Sequence, residues 1–400
     1  MNRCYYTSSS MVFAIVCCTL VAHLISGCTS KQQPKKAVAQ QLRAELLAKD
    51  PTQFAAPMDL LQVSATHSTV YRGKKNISEF NLHSYLIHFE GQFWAMWSSS
   101  KIKEEDPDQR LLYAVSDDGH SWSPARNLAN DPDGPNGPGR WIARGFLVND
   151  GTLQALGAYI ESADYGNHGQ GVVWKNLRLM RFVWDEEEWV EKDVFADNCM
   201  SNFPPTRLGT LWGMACRDDA VNVSMALSNN IQNPSWSFRS LAADSPFDRM
   251  EEPTWYSTDD GFVHMIIRDN NSSRRLIRIL SKDGGVTWNT PVLTNYPDAT
   301  SKNFTGRFSN GTYFLINNSN PKHRYPLTIA FSHDGWTFSN PVAIRKDAPP
   351  MRRKSPGRES IGRNGFQYPH AIEHTGSLWV VYSTNKEDIE ISEFKIADLF

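Results

Sequence analysis

Ionisable or amide side chains stand at a similar distance before several glycines of the sequence. Each lies seven or eight residues ahead of a glycine between apolar runs, and the set is His83, Arg144, Asn202, Pro253 beside Glu252, Asn303, and Tyr368 beside Gln367. A second polar set follows the same glycines and consists of Lys103, Tyr165, Arg217, Arg268, His323 with Arg324, and Lys386. Guanidinium and ammonium groups bind anions through charge-assisted hydrogen bonds. A fold that gathers both sets would therefore build a site for an anionic ligand.

The composition excludes several classes of protein. Lys and Arg number 41 against 43 Asp and Glu, so no cation excess is available to release counterions from nucleic acid. The 13 Trp, 13 Tyr and 20 Phe exclude a disordered chain and suit stacking on sugar rings. The sequence has no P-loop, G-x-S-x-G elbow or H-E-x-x-H motif. The acidic run Glu104–Asp106 is predicted to be solvated, which argues against a glycosidase with paired carboxylates.

The glycines themselves form an internal repeat that would position the polar sets. They are Gly91, Gly151, Gly209, Gly261, Gly311 and Gly376, at intervals of 60, 58, 52, 50 and 65 residues. This period and the turn-rich, aromatic composition predict an all-β fold, a single β-propeller of four-stranded blades. Six hairpins are present, and the segment 52–72 either closes the last blade or belongs to a seventh. The inner strand of each blade then begins at one face, where the residues ahead of each glycine would surround the channel mouth.

Three further segments have the chemistry of one tight turn. They are Ser116–Trp122, Ser281–Trp288 and Ser332–Phe338, each with an Asp-x-Gly or Asp-Gly core and a final aromatic residue. The Asp accepts backbone N–H bonds, the Gly takes a positive φ, and the aromatic residue packs between sheets. These segments resemble the Asp-box of the sialidase-like β-propeller superfamily, and the resemblance covers residues 52–400.

Two enzyme classes in that superfamily offer templates for the site. Sialidases use an arginine triad, a Tyr–Glu nucleophile pair and an Asp acid, and their first blade carries an R-I-P motif. Tyr368 and Glu252 resemble the nucleophile pair. The first blade here reads Glu79–Tyr85, R-I-P is absent, and the first arginine is missing. The sialidase reading is weakened accordingly.

The ulvan lyases of polysaccharide lyase families 24 and 25 are the closer resemblance. Their order of catalytic residues is matched by His83 and Lys103, 20 residues apart, and by Tyr165 and Arg181, 16 apart. The resemblance implies β-elimination, in which Arg181 with Lys103 or Arg144 neutralises the substrate carboxylate and His83 removes the C5 proton. Tyr165 would protonate the leaving oxygen or act as the base itself. The alternatives are Arg178 or Arg144 for Arg181, and Tyr159 for Tyr165.

The expected function is cleavage of an acidic, sulfated rhamnose–uronate polysaccharide. The substrate-binding residues would be Arg144, Asn202, Arg217, Arg268, Asn303, Gln367 and Tyr368. Catalysis would require no cofactor, although a structural cation is compatible with the sequence. Two other functions stay open: an exo-glycosidase, either a sialidase or a rhamnosidase, and a glycan-binding propeller without catalysis.

The N-terminal residues resemble a bacterial lipoprotein signal. An apolar run, Met11–Ile25, leads to Leu24–Cys28, whose small residues before the cysteine resemble a lipobox. The expected organisation is a signal peptide over 1–27, a lipid-anchored tether over 28–51 with a helix at Ala37–Lys49, and the propeller over 52–400. Lipidation of Cys28 would place the protein in the cell envelope, at the outer membrane, whereas an ordinary secretory signal is the alternative.

Two cysteines, Cys199 and Cys216, are left in the predicted domain. In an oxidising compartment they could form a disulfide. Buried free thiols and a structural metal site shared with a histidine are the other readings of the sequence.

Overall fold

The protein is a six-bladed β-propeller. The computed structural model describes residues 32–129, 133–163, 173–243, 245–353 and 364–400. The chain divides into two compact units, Met1–Leu42 and Arg43–Phe400. The second unit contains six antiparallel sheets, each with a main path of four strands. The all-β class, the four-stranded blades and the count of six are thereby confirmed.

The strands of the first three blades follow the predicted repeat. Blade 1 runs from its inner to its outer strand as Phe80–Phe89, Gln92–Ser100, Arg110–Ser116 and Arg126–Ala129. Blade 2 is Arg140–Asn149, Thr152–Ile160, Arg178–Asp185 and Glu188–Asp197. Blade 3 is Met200–Ser201, Leu211–Arg217, Val223–Ser228 and Ser237–Ser240, and Thr206–Leu208 also pairs with its second strand.

The remaining blades complete the ring. Blade 4 is Met250–Ser257, Val263–Asp269, Arg275–Ser281 and Val292–Pro297. Blade 5 is Phe304–Arg307, Tyr313–Asn317, Leu327–Ser332 and Ser339–Arg345. Blade 6 is Phe366–His374, Ser377–Thr384, Asp388–Lys395 and, as its outer strand, Thr66–Arg72. The inner strand of blade 1 contacts the inner strands of blades 2 and 6, so these strands line the axis.

Short elements lie between and before the blades. One helix is Gln32–Glu45, and the 3-10 turns are Pro51–Phe54, Pro57–Asp59 and Ile396–Leu399. Two-strand ladders join Asp133–Gly134 to Gly137–Pro138 and Ser162–Ala163 to Trp174–Lys175. In the part of the chain that the structure describes, no helix is both long enough and apolar enough to span a membrane.

The ring is closed by pairing the start of the domain with its end. Thr66–Arg72 forms an antiparallel ladder with Asp388–Lys395, the third strand of blade 6. This settles the open assignment of the segment 52–72, since its strand completes the sixth blade. The pairing also covers a sheet edge that would otherwise expose unpaired backbone groups.

The chain packs against the propeller before residue 52. Leu47 and Ala48 are fully buried, and their backbone N–H groups donate to the side-chain oxygen of Asn295 at 2.9 and 2.8 Å. The N–H of Lys49 donates to the carbonyl of Phe338 at 2.8 Å. The compact unit therefore begins at Arg43, ahead of the predicted boundary near residue 52, because these residues bury apolar surface on blades 4 and 5.

The three predicted Asp-box turns are present, and the first shows their construction. Asp118 accepts the backbone N–H groups of His120 and Ser121 at 2.8 and 2.7 Å, and its carboxylate accepts from the hydroxyl of Ser116. A side chain at Gly119 would run into the ring of Trp379 in blade 6, so the turn is also a contact between blades. The six hairpin glycines have φ between +60° and +90°, as the repeat requires.

Aromatic side chains fill the junctions between blades, as the composition suggests. Between blades 1 and 2, Trp94 packs edge-on against Trp184 with ring centroids 4.9 Å apart, and Trp141 of blade 2 joins the same cluster. Such pairs bury large areas with a defined geometry. The blades are thereby fixed relative to one another, which holds the inner strands in place around the axis.

Candidate active site

The inner strands are interrupted where the predicted polar residues stand. Register shifts occur in blades 1, 2, 4 and 6, between Leu82 and Tyr85, Ala143 and Gly145, Glu251 and Thr254, and Gln367 and His370. The residues within or beside these shifts include His83, Arg144, Glu252 and Tyr368. Three of them, His83, Glu252 and Tyr368, have φ of 58°, 54° and 58°. A β-bulge re-aims a side chain, and positive φ at bulky residues concentrates at functional sites.

In blade 2 the bulge is made possible by Gly145, which has φ of +101°. A Cβ there would lie 2.6 Å from Cγ of Pro204 and 2.9 Å from Cδ1 of Tyr85. Only glycine allows the strand to pass this close to its neighbours. Arg144 immediately precedes this glycine and lies within the register shift.

Gly145→Ala is expected to lower the free energy of unfolding by about 3 kcal/mol, because it adds a clash to an unfavourable φ. Gly151→Ala in the same blade is the control: its φ is +75°, but nothing lies within 4 Å of an added Cβ, so about 1 kcal/mol is expected. Urea unfolding measures both variants. Equal losses would show that the close approach at Gly145 has no energetic weight.

Tyr368 and Glu252 form a buried hydrogen-bonded pair. The Tyr368 hydroxyl bonds the Glu252 carboxylate, and Nη1 of Arg268 donates to Oε2 of Glu252 at 2.8 Å. Burial alone would raise the pKa of Glu252, but Arg268 and Arg217 outweigh it and lower the pKa to about 2. Burial and the charge of Glu252 raise the pKa of Tyr368 well above its ordinary value. The free protein thus holds a neutral phenol against a carboxylate.

His83 lies against the same tyrosine. Its ring meets the Tyr368 ring edge-on at 5.0 Å between centroids, its Nδ1 is 3.1 Å from Oγ of Ser98, and its Nε2 is 3.4 Å from Oε1 of Glu104. Burial lowers the pKa of His83 to about 4, so the imidazole is neutral at neutral pH. It is therefore able to act as a base.

Glu104 is part of the site rather than of a solvated acidic run, and this part of the sequence prediction was wrong. Its carboxylate contacts His83 and accepts a hydrogen bond from Nζ of Lys386 at 2.6 Å. Burial would raise the pKa of Glu104, but Lys386 and His83 outweigh it and hold the pKa well below the ordinary value. The prediction failed because a run of charged letters does not show which member turns inward.

Lys302 lies at the centre of the ring and was not identified from the sequence. It is fully buried, and its Nζ donates to the hydroxyl of Tyr85 at 2.9 Å and to the carbonyl of Asn202 at 3.1 Å. The rings of Phe203 and Tyr368 lie 4.2 and 5.4 Å from the same nitrogen. Burial and the charge of Arg144 lower the pKa of Lys302 well below its ordinary value. The only signal in the sequence was its position beside Asn303.

Most of the predicted substrate-binding residues come together around these groups. Arg144 is 1% exposed and hydrogen bonds Tyr85. Arg217 lies 3.4 Å from Glu251. Nη1 of Arg324 donates to Gln367 at 2.8 Å. The site is therefore rich in cations.

The two predicted asparagines are also buried on the inner strands. The side chain of Asn202 donates to the carbonyl of Pro253 at 2.8 Å, which ties blade 3 to blade 4. Neither side-chain polar atom of Asn303 has a hydrogen-bond partner among the described residues. Asn202 thus links two blades, whereas the side-chain amide of Asn303 makes no hydrogen bond to the described residues.

Arg181 is placed elsewhere. It lies on the third strand of blade 2, fully buried, where it binds both carboxylate oxygens of Asp193. It also donates to the carbonyls of Ile231 at 3.2 Å and Gln232 at 2.8 Å. These bonds engage the guanidinium between blades 2 and 3, so Arg181 is not among the residues that the structure brings to His83.

The other members of the predicted catalytic set are distributed differently. Lys103 is exposed, with its Nζ 3.9 Å from Asp106, and Lys386 takes the position beside Glu104. Tyr165 and the predicted lipidation site Cys28 lie outside the described residues. Tyr159, the alternative to Tyr165, is buried in blade 2 with its hydroxyl 3.4 Å from Glu161. Arg178 covers the ring of Tyr159 at 4.9 Å.

The cysteines form a disulfide between Cys199 and Cys216. This decides between the three readings of the sequence. The bond joins the segment leading into the inner strand of blade 3 to the second strand, one residue before Arg217. Within the described ranges, no group of three or more His, Cys, Asp or Glu side chains could hold a metal ion.

Six blades, Asp-box turns and a polar cluster on the axis define a sialidase-like β-propeller. Over residues 91–380 the chain matches the BNR repeat-like domain family, and it belongs to that family. No curated protein sequence matches the chain.

Solved structures share the fold at low identity. One is a sialidase, with a TM-score of 0.61 and 19% identity over 85% of this chain and 34% of that one. Another is a Dyadobacter fermentans protein of unknown function, with a TM-score of 0.59 and 15% identity over 84% and 99%. A third is Trypanosoma rangeli sialidase in complex with sialic acid, with a TM-score of 0.56 and 12% identity over 85% and 60%. This chain thus spans about a third of the first sialidase.

Proposed function

We propose that this protein hydrolyses the glycosidic bond of an acidic sugar, with Tyr368 as nucleophile and Glu252 as its base. The observation that carries the proposal is the buried Tyr368–Glu252 hydrogen bond inside a cluster of arginines. The structural neighbours named as sialidases support it, and one of them is described in complex with sialic acid. The pair also resembles the sialidase nucleophile pair.

The geometry suggests the following steps. The Tyr368 oxygen attacks the anomeric carbon as its proton passes to Glu252, and the bond to the leaving oxygen breaks with its electron pair. The leaving oxygen takes the proton that Glu252 has received, because the depressed pKa values of His83 and Glu104 leave that pair without an acidic proton. Water then attacks the glycosyl–tyrosine intermediate, and its proton returns to Tyr368 through Glu252 as the sugar is released.

Substrate charge would tune the base. In the free protein Arg268 and Arg217 hold the pKa of Glu252 at about 2, which is low for accepting a proton from a phenol. An acidic group bound beside these cations weakens their effect on Glu252 and raises its pKa. An acidic substrate would therefore activate the nucleophile that attacks it.

β-Elimination on a uronate polysaccharide, the ulvan-lyase-like activity, is the second candidate. It is favoured by the neutral His83 imidazole beside Tyr368. His83 would take the C5 proton while a cation such as Arg144 neutralises the carboxylate. The C4–O bond breaks as the C4–C5 double bond forms, and Tyr368 supplies the proton to the leaving oxygen.

One pair of assays separates these functions. The protein is incubated with an aryl sialoside and, separately, with ulvan and other uronate polysaccharides. Release of the aryl group and free acidic sugar supports the hydrolase, whereas a rise in ultraviolet absorbance from an unsaturated uronate supports the lyase and overturns the hydrolase. Binding of these glycans without any product would identify a glycan-binding propeller.

We also propose that the protein is held in the bacterial cell envelope, at the outer membrane, by lipid on Cys28. The lipobox-like segment Leu24–Cys28 after an apolar run supports this. Labelled palmitate should be incorporated by the wild type and lost in Cys28→Ala. Equal labelling of both proteins would refute the anchor.

A further inference from the structure

Lys302 is held by residues from three other blades, which fixes its ammonium group on the axis. It precedes the inner strand of blade 5, and its partners are Tyr85 of blade 1, Asn202 and Phe203 at blade 3, and Tyr368 of blade 6. Only a position near the centre of the ring allows contact with all of these blades. The three rings surround its nitrogen at 4.2 to 5.4 Å, a cage that suits a cation.

The charges around Lys302 are unevenly balanced. Three neighbouring cations have carboxylate partners, in the pairs Arg217–Glu251, Arg268–Glu252 and Lys386–Glu104. In the part of the chain that the structure describes, neither Lys302 nor Arg144 forms a salt bridge, although both are buried. The charge of Arg144 lowers the pKa of Lys302, and the charges of both residues lower the pKa of His83. Burying charge without a counterion is costly.

Arg144 has donors to spare. Its Nε and Nη1 have no hydrogen-bond partner among the described residues, and the side chain is 1% exposed. Buried guanidinium donors are normally satisfied. Unused donors beside an unbalanced lysine indicate a place prepared for oxygen atoms that carry negative charge.

We propose that Arg144 and Lys302 form an anion clamp, which holds the carboxylate or sulfate of the substrate's acidic sugar. The inference rests on the proposed function only for the reaction that follows, since binding of the acidic group requires the clamp alone. The paired arginines then serve mainly to hold Glu251 and Glu252. Lys302 is thus the residue that distinguishes acidic from neutral sugars.

The clamp also places the bound sugar. Because the Lys302 nitrogen lies 5.4 Å from the centre of the Tyr368 ring, an acidic group held by it lies next to the nucleophile. The acidic group must therefore be on the reacting sugar or on its immediate neighbour. A polymer whose acidic groups are far from the scissile bond would not be a substrate.

Calorimetric titration with glucuronate, glucose and inorganic sulfate tests the clamp without turnover. The variants are Lys302→Met and Arg144→Met, and the control is Lys322→Met, an exposed lysine of blade 5. Wild type and Lys322→Met should bind glucuronate more tightly than glucose. Each clamp variant should lose about tenfold or more in glucuronate affinity, as expected for charged hydrogen bonds.

Tighter binding of sulfate than of glucuronate would identify a sulfate ester as the acidic group, and the reverse would identify a carboxylate.

The experiments distinguish an incorrect anion clamp from an incorrect assignment of hydrolase activity. Unchanged glucuronate affinity in both folded clamp variants, or equal wild-type affinity for glucuronate and glucose, overturns the clamp while hydrolysis of an aryl sialoside can persist. Tyr368→Phe should retain glucuronate binding, because its ring remains in the cage, even where turnover is lost. Thermal unfolding of every variant shows whether it is folded, and Arg144→Met decides the test should Lys302→Met fail to fold.

Discussion

Tyr368→Phe is expected to lower kcat by about 10³-fold or more on whichever acidic glycan proves to be the substrate. The substitution keeps the ring that contacts His83 and Lys302 and removes only the hydroxyl that bonds Glu252. Without that oxygen, the attack on the anomeric carbon that we propose for Tyr368 is lost. Stability should change by only about 1 kcal/mol, the ordinary contribution of one hydrogen bond.

Tyr382→Phe is the matched control for this prediction. Tyr382 also lies in blade 6 and is fully buried, but its hydroxyl bonds Ser392 and Arg345 at 2.8 and 2.7 Å, away from the axis. Its loss should affect stability by a similar amount and leave kcat near the wild-type value. A Tyr368→Phe enzyme with near-wild-type kcat in steady-state assays would exclude Tyr368 as the nucleophile.

The sequence was sufficient to predict the architecture because each turn of the repeat depends on residues that are close together in the chain. An Asp-box turn or a hairpin turn requires a particular residue at a particular φ. Gly91 and Asp118 therefore predict their turns from the local sequence alone. Six such hairpins at similar intervals leave a closed ring as the simplest arrangement. The closing strand Thr66–Arg72 was ambiguous because its partner lies at the other end of the chain.

The sequence was less informative about which side chain enters the site. The distance to the hairpin glycine locates the mouth of each inner strand to within about one residue. A β-bulge then decides which of two neighbours points inward, and a bulge has no simple sequence signal. Thus Glu252 rather than Pro253 enters the site, and Lys302 enters beside Asn303.

Residue spacing alone also failed to predict side-chain positions that depend on partners distant in the chain or on another strand. Arg181 stands at the expected interval from Tyr165, but the third strand of a blade lies away from the axis, and Asp193 there takes up its charge. Glu104 was set aside as part of an acidic run, although its partners His83 and Lys386 are distant in sequence. Such pairings form only in the folded ring, so no local pattern predicts which side chains they join.

Glu252→Gln is expected to affect both stability and catalysis. The variant leaves Arg268 buried without its carboxylate, and breaking a buried pair in this way costs about 3–5 kcal/mol. It also removes the base for Tyr368, so kcat should fall by about 10²-fold or more. Glu251→Gln is the control, because Glu251 accepts from Asn270 at 2.6 Å and from Arg217 at 3.4 Å, whereas Glu252 is the partner of Arg268.

The pH dependence of the free energy of unfolding shows whether the Glu252 carboxylate stabilises the folded protein. The pKa of Glu252 is about 2 in the folded protein against 4.5 for an ordinary glutamate, which corresponds to about 3 kcal/mol. Because the folded pKa is depressed, this stability is present above about pH 4.5 and is lost as the pH falls toward 2. Urea unfolding should therefore show a large difference between wild type and Glu252→Gln at neutral pH that shrinks on acidification. A difference that stays constant over this range would show that Glu252 is not held as a carboxylate by Arg268.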